Sequence, residues 1–370
     1  MRLPPAVLVF VGVMLAYAAY YLLALVSRID LRFDKDHQGT AALLRRCSLL
    51  KGNYWPSPWI FSGHLDALVM MKLRPTYDPQ YRREEVRAAD GTTLLLDWAE
   101  RSDMSPSAPI LILLSGVTGS GRSSYITYLA REGMQKGWRC VTLNYPGTLG
   151  EQLTAPRMYS VSSDVGRLVD HVASSFPDAP LFALGFSLGG FLLTKYLGEV
   201  GSRTPLRAGI ICSSPWSQAQ LAVHWTGWAK THVYGRHFIK HFLKIYSNNK
   251  VFRGHAKLVH ENIVSCKTLF DLHTHLHAPL SGEESIEDYY LANDTGPLFA
   301  NVKVPTLVLH ALNDPVVPQV EEISKNPLAI LAVTQTGWWP TGLSWIELAC
   351  LQYIDAHLQL SSTDSSPMGR

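Results

Sequence analysis

Ser187 stands at the centre of Gly185-Phe186-Ser187-Leu188-Gly189, between the apolar run 181–184 and a leucine-rich segment that ends near Val200. A G-x-S-x-G pentapeptide joining a buried strand to a helix is the setting of a nucleophilic serine. The reason is steric. A serine held on a sharp strand-to-helix turn presents its Oγ only if the residues two places either side carry minimal side chains. Gly185 and Gly189 meet that need, and Gly190 lets the helix lie close to the sheet. The N–H of Leu188, at the helix N-terminus, then points at a developing oxyanion. A second donor is expected from "LLSGVTGSGRSSY", residues 113–125, where Gly116 permits close backbone approach and the Val117 N–H faces the site. The plainer alternatives stay open: a buried structural turn at Ser187, and an ordinary glycine-rich turn at Gly116. No Gly-Lys-Ser or Gly-Lys-Thr follows, so a nucleotide-phosphate loop is not indicated.

An acid is expected after a late strand, and Asp314 in "VLHALNDPVVP" sits there, ahead of a proline turn. Its carboxylate would hold an imidazole in the right tautomer and stabilise the imidazolium. Asp before Pro also serves as a purely structural turn former. The base is the difficulty. It must reach the Ser187 Oγ within about 3 Å. After Asp314 the chain holds one histidine, His357, about 20 Å along a terminal helix predicted over 344–360. His357 is therefore read as a surface residue. Nine histidines (224, 232, 237, 241, 255, 260, 273, 275 and 277) fall between 216 and 296. The spacing of His273, His275 and His277 suits one face of a strand, but no carboxylate or cysteine pattern supports a metal there. His310 reads as a packed core residue.

These residues need a scaffold. The runs 108–116, 138–147, 181–187, 206–215, 304–315 and 328–337 read as buried strands, with helical segments between them. That alternation predicts an α/β fold, a mostly parallel sheet covered on both faces by helices. Between 216 and 296 the alternation fails, and an aromatic-rich, mostly helical cap is expected, with Trp216, Trp225, Trp228, Tyr234, Phe238 and Phe242. Lys230, Arg236, Lys240 and Lys244 recur there at near-helical spacing, either to meet lipid phosphates or as a solvated face. Residues 31–80 form a polar extension without periodicity, 81–215 and 297–360 the two parts of the core, and 361–370 a disordered tail.

The chain has 370 residues, 47% apolar and 17% charged, with a net charge of +3. That is room for one large domain and an extension, and no nucleic-acid partner is indicated. Five separated cysteines without a CxxC argue against zinc and against a disulfide framework. Residues 6–26 carry no charge over 21 positions, enough to span about 30 Å of hydrocarbon as a helix. A single-pass anchor within 1–30 is expected. The alternative is a cleaved leader with its site at Ala16-Tyr17-Ala18. Arg28, Arg32 and Lys35 outnumber Arg2 and favour a cytosolic domain; the sequon Asn293-Asp294-Thr295 favours the opposite side. Topology stays open.

Together, "SGHLDAL" (62–68), "RREEVRAADGTTLLLDW" (82–98), "LLSGVTGSGRSSYI", "NYPG" (144–147), "PRMY" (156–159), "GFSLGG", "SIEDYY" (285–290) and "NDPVVP" (313–318) resemble the membrane-anchored α/β-hydrolase esterases and phospholipases of the AB hydrolase 4 family, related to the YheT-like esterases. The resemblance spans about residues 55 to 358. It implies an α/β-hydrolase fold, a Ser-Asp-His triad, no cofactor, lipid-ester substrates (short-chain esters, acylglycerols or phospholipids) and an endomembrane such as the endoplasmic reticulum. It also implies a Gly-Gly-His-x-Gly-Phe-like loop after the last strand, followed by Trp-Pro. Here Gly337 runs directly into Trp338-Trp339-Pro340, and the histidine expected just after Gly337 is absent. Three explanations fit: a gene-model or splice deletion in an ordinary hydrolase, a crippled enzyme, or a lipid-binding pseudoenzyme.

Overall fold

The computed structural model of the chain describes residues 4–58, 63, 74–225, 230–318, 326–337 and 344–364. Its centre is a nine-stranded sheet. In chain order the strands are β1 (Ser27–Arg28), β2 (Asp30–Phe33), β3 (Asn53–Tyr54), β4 (Arg82–Arg87), β5 (Thr93–Ala99), β6 (Ile110–Leu114), β7 (Arg139–Asn144), β8 (Leu181–Phe186), β9 (Leu206–Cys212), β10 (Thr306–Ala311) and β11 (Ala329–Thr334). Their order across the large sheet is β2-β11-β10-β9-β8-β6-β7-β5-β4. The six strands from β11 to β7 are parallel, while β2, β5 and β4 each pair antiparallel with a neighbour.

The apolar runs explain this burial. Side chains alternate across a pleated strand, so a strand covered on both faces must be apolar throughout. In β6, Ile110, Ile112 and Leu114 enter one core layer, while Leu111 and Leu113 enter the other. Helices cover both faces: Ser124–Gln135, Ser162–Ser175, Leu188–Val200 and the terminal Trp345–Asp364. That last helix continues through 361–364, so the expected disordered tail is helical at its start.

Residues 31–80 are less shapeless than their sequence suggests. Asp30–Phe33 closes the sheet edge antiparallel to β11, and Gln38–Arg46 forms a helix. Arg74 pairs with Glu347 at 2.7 Å, both side chains fully buried, tying this stretch to the terminal helix. The insertion leaves and returns through one neck. Ser217 bridges Asp294, and the Thr295 N–H donates to the Trp216 carbonyl at 2.8 Å. Between these points the chain is helical, including Gln218–His224, Lys230–Gly235, Arg236–Asn248 and Ile286–Ala292. His273–His277 is part of a helix, not a strand, because Leu272 and Leu276 bury at helical spacing. Among the described residues no three ligating side chains gather to hold a metal.

His357 corrects a second expectation. Its ring is half-buried, packing on Phe182 and edge-on to Tyr353, and its buried Nε2 has no hydrogen-bond partner among the described residues. Phe182 is the second residue of β8 and Ser187 follows the strand's end, so about 15 Å of strand separates the two. Burial, chiefly, lowers the His357 pKa to about 4. In the unfolded chain the imidazole takes a proton below about pH 6.5, but in the folded chain it resists until about pH 4. Stability is therefore intact above pH 6.5 and falls as pH drops to 4, by about 3 kcal/mol at most from this group. His357→Phe should flatten the parent's loss of stability over that window in denaturant titrations. Parallel curves for the two chains would refute the assignment.

Candidate active site

The strand β8 ends at Phe186 and the helix Leu188–Val200 begins one residue later, leaving Ser187 alone at the turn. Ser187 has φ 50° and ψ −115°, a region that costs a non-glycine residue about 1–3 kcal/mol. Surrounding hydrogen bonds hold it there. The Ser187 N–H donates to the Cys212 carbonyl at 2.9 Å, and the Phe191 N–H to the Ser187 carbonyl at 2.9 Å. The Ser115 carbonyl accepts from the Gly189 N–H at 3.0 Å and from the Tyr145 hydroxyl at 2.6 Å.

The glycines are required by contact. A Cβ on Gly185 would sit 2.5 Å from the Gly190 nitrogen; one on Gly189 would sit 2.6 Å from the Leu114 carbonyl carbon. Gly190 faces Ser214 just as closely, at 2.9 Å. Backbone, not movable side chain, bounds the first two positions.

At the second donor loop, a Cβ on Gly116 would lie 3.6 Å from the Ser187 Cβ. The Gly116 N–H is occupied, donating to the Tyr125 hydroxyl at 2.9 Å. This bond fixes the loop from beneath, a role that nothing in the sequence marks for Tyr125. The N–H groups of Val117 and Leu188 donate to no acceptor among the described residues. Both residues border the space around Ser187.

Asp314 borders the same space. Its Oδ1 accepts from the Val316 and Val317 N–H groups at 2.8 and 3.1 Å, the turn-forming role open to any Asp-Pro. Its Oδ2 has no hydrogen-bond partner among the described residues. Gly337 lines this cavity too, and the Tyr54 hydroxyl donates to its carbonyl. The place where the triad histidine is expected thus opens on both Ser187 and Asp314. Trp339 and Pro340 lie outside the described residues, as do Trp228 and all of "SGHLDAL" except Gly63.

Five of the cap's nine histidines fall into three sets. His237 and His241 line the cavity shared by Ser187 and Asp314, and the His241 Nε2 is buried without a hydrogen-bond partner among the described residues. Burial, then the charges of His237 and Lys244, lower the His241 pKa. His224 lies near Asp314 but outside the Ser187 cavity; Lys230 Nζ sits 2.8 Å from its Nε2. His273 and His277 are buried and neutral, the latter lowered to about 4 by burial. No histidine among the described residues is recorded both in contact with Asp314 and beside Ser187. Lys230 turns to His224, leaving Arg236, Lys240 and Lys244 as the exposed basic face.

Ser187 is the junction of two cavities. One, about 500 Å³, carries Arg74, Arg122, Asn313 and Asp314. The other, about 420 Å³, runs under the cap past Phe191, Leu192, Leu221, Trp225, Phe242 and Leu280. Val117, Phe238, Val316 and Val317 border both. Trp225 anchors the cap here, its Nε1–H donating to the Val316 carbonyl at 2.8 Å. Trp216, by contrast, packs edge-on to Phe299 at the neck. Arg74 was not singled out by any motif, because only tertiary packing brings it to this wall.

Comparison with known proteins agrees with this architecture. A family model described as serine aminopeptidase, S33, matches residues 105–325. Human phospholipase ABHD3 is 26% identical over 381 positions, covering 94% of this chain and 89% of the relative. The monoacylglycerol lipase of Saccharomyces cerevisiae is 26% identical over 244 positions, 62% of this chain and 54% of the relative. Among solved structures, Est1E from Butyrivibrio proteoclasticus with bound ferulic acid is 12% identical, over 76% of this chain and all of its own, at a TM-score of 0.47. The family match contains both Ser187 and Asp314, ends before Gly337 and exceeds half the chain. The protein has the α/β-hydrolase fold and belongs to the serine hydrolase family described as serine aminopeptidase, S33.

Proposed function

We propose that this protein is a membrane-tethered hydrolase of lipid carboxylic esters that forms an acyl-enzyme on Ser187. The observation that carries this reading is the position of Ser187 at the junction of two cavities, both lined mainly by apolar side chains with a few charged ones, Arg122 and Asp314 in the first and Arg157, Lys195 and Glu283 in the second. An ester bond at that junction leaves its alcohol part in one cavity and its acyl part in the other. Acylglycerols and phospholipids have that form, and the names of two relatives point the same way. The helix Pro5–Tyr20 and its continuation to Leu25 give 21 residues near the N-terminus, with an unburied 18-residue stretch of mean hydropathy 2.2. Such a segment suits an anchor that delivers substrate from an endomembrane such as the endoplasmic reticulum; a leader sequence passes the same test.

In this mechanism the Ser187 Oγ attacks the ester carbonyl, and the Val117 and Leu188 N–H groups receive the oxyanion. A base accepts the Oγ proton and returns it to the leaving alcohol; water then releases the acyl group, or a second alcohol takes it. Asp314 would orient the base. The missing loop after Gly337 favours a second reading, a lipid-binding protein that holds esters without turnover. Peptide mass spectrometry after incubation with monoacylglycerol or phosphatidylcholine separates the two. An acyl adduct on the Ser187 peptide, absent from Ser187→Ala, is expected. Lipid retention without an adduct, unchanged in Ser187→Ala, would favour binding alone.

A further inference from the structure

The cap helix Arg236–Asn248 lies along the edge of the sheet at which the parallel strands end. Near its start, Phe238 packs on Trp225, which is bonded to Val316 beyond β10. Near its end, a Cβ on Gly147, beyond β7, would meet Ile245, and the Asn249 Oδ1 accepts from the Leu153 N–H at 2.7 Å. Thirteen residues of helix measure about 20 Å, and the four strand spacings from β10 to β7 come to about 19 Å. The helix therefore spans the strand ends above Ser187. Its inner side is fixed by packing: Phe238, Ile239, Phe242, Ile245 and Tyr246 are buried. Arg236, Lys240 and Lys244 recur every fourth residue on the outer side, exposed, and none pairs with a carboxylate among the described residues.

The anchor leaves from the same edge. β2 runs antiparallel to β11 and sets Asp30 against Val333, so the chain before Asp30 lies beyond the end of β11. Ser27 and Arg28 pair with Tyr54 and Asn53, Leu25 is buried, and the Tyr21 hydroxyl donates to the Pro56 carbonyl at 2.6 Å. Paired backbone thus joins the anchor to the domain and turns this edge to the bilayer. We propose that the stripe Arg236, Lys240 and Lys244 docks on anionic lipid headgroups of the leaflet at which the anchor enters. The inference rests on the membrane-tethered part of the reading above. Docked in this way, the cavities around Ser187 lie one helix diameter, about 10 Å, from the headgroups.

The test places the full chain in nanodiscs of phosphatidylcholine, with or without phosphatidylserine, and reads quenching of a fluorophore by headgroup-labelled lipid. The fluorophore is carried on Ser247→Cys, exposed on the same stripe, or on Asp103→Cys, exposed in the loop after β5 at the opposite edge of the sheet. All five native cysteines are buried, so the introduced thiol takes the label. With phosphatidylserine the probe at 247 should be quenched and the probe at 103 should not. The docked-to-undocked ratio at 247 should fall about 100-fold when Arg236→Gln, Lys240→Gln and Lys244→Gln are combined, the factor three cations supply at such a surface. Rising salt should lower it as well. Equal quenching in the triple variant, or in discs without phosphatidylserine, would overturn the inference. An unquenched probe at 247, in a chain that stays in its discs, would also overturn it and leave the stripe to a soluble acidic partner. Release of the chain from membranes by alkaline wash would remove the tether and the inference together. The hydrolase reading is decided separately, by the Ser187 adduct.

Discussion

Inserting a Gly-Gly-His-x-Gly-Phe-like loop after Gly337 is expected to raise ester turnover by at least about 10³-fold, because removing one member of a triad costs several orders of magnitude. The gain is large because the other parts are in place. Ser187 already holds its strained φ of 50°, so no folding energy is needed to create the elbow. The Val117 and Leu188 amides donate to no other acceptor among the described residues. Gly337 and Asp314 share a cavity with Ser187, so a loop emerging at Gly337 meets the proposed acid and the proposed nucleophile together. Turnover of a monoacylglycerol and of a soluble short-chain ester, each against Ser187→Ala, reads the effect. A gain below tenfold in a folded, loop-inserted chain would mean that the cavity does not present Asp314 and Ser187 to one imidazole.

Gly189→Ala should be among the most damaging single methyls in the molecule. Its Cβ would lie 2.6 Å from the Leu114 carbonyl carbon and 2.7 Å from the Leu114 Cβ, in a strand whose five side chains are all fully buried. Neither β6 nor the helix Leu188–Val200 can withdraw without breaking the Gly189 N–H bond to Ser115. Overpacking of this kind costs about 3 kcal/mol or more. A fall in Tm of roughly 5 °C or more, with loss of any Ser187 reactivity, is expected. Gly52→Ala is the control: nothing lies within 4 Å of its Cβ position, and its φ is −97°. Equal stability of the two variants would refute the steric account of the elbow.

The elbow was legible because its constraints are local: two glycines, a serine and the change from an all-apolar strand to a helix. The parallel strands were legible for a similar reason, since burial on both faces leaves runs such as Ile110–Leu114 wholly apolar. Asp314 stands after a late strand, as its chain order led one to expect, on the wall of a cavity shared with Ser187. What stayed hidden depends on docking. Asp30–Phe33 is four residues with two charges, and it becomes a strand only because β11 offers an open edge. His357 looks like a surface residue of an amphipathic helix until Phe182 and Tyr353 close around it. The helical spacing of Leu272 and Leu276 overrides the alternation of the three histidines around them. The division of the cap's histidines, some near Ser187 and another near Asp314, also has no local signature.

The most direct test of the account is fluorophosphonate labelling of the chain as sequenced, its loop-inserted form and the Ser187→Ala variant of each, without added base. The account predicts rapid labelling of the loop-inserted chain alone, abolished by Ser187→Ala, with the chain as sequenced slower by at least about 10²-fold. Equally rapid labelling of the chain as sequenced would contradict it and place the base in the cap, with His237 and His241 the first residues to replace. Labelling that survives Ser187→Ala would contradict it more deeply, since the nucleophile would then lie elsewhere.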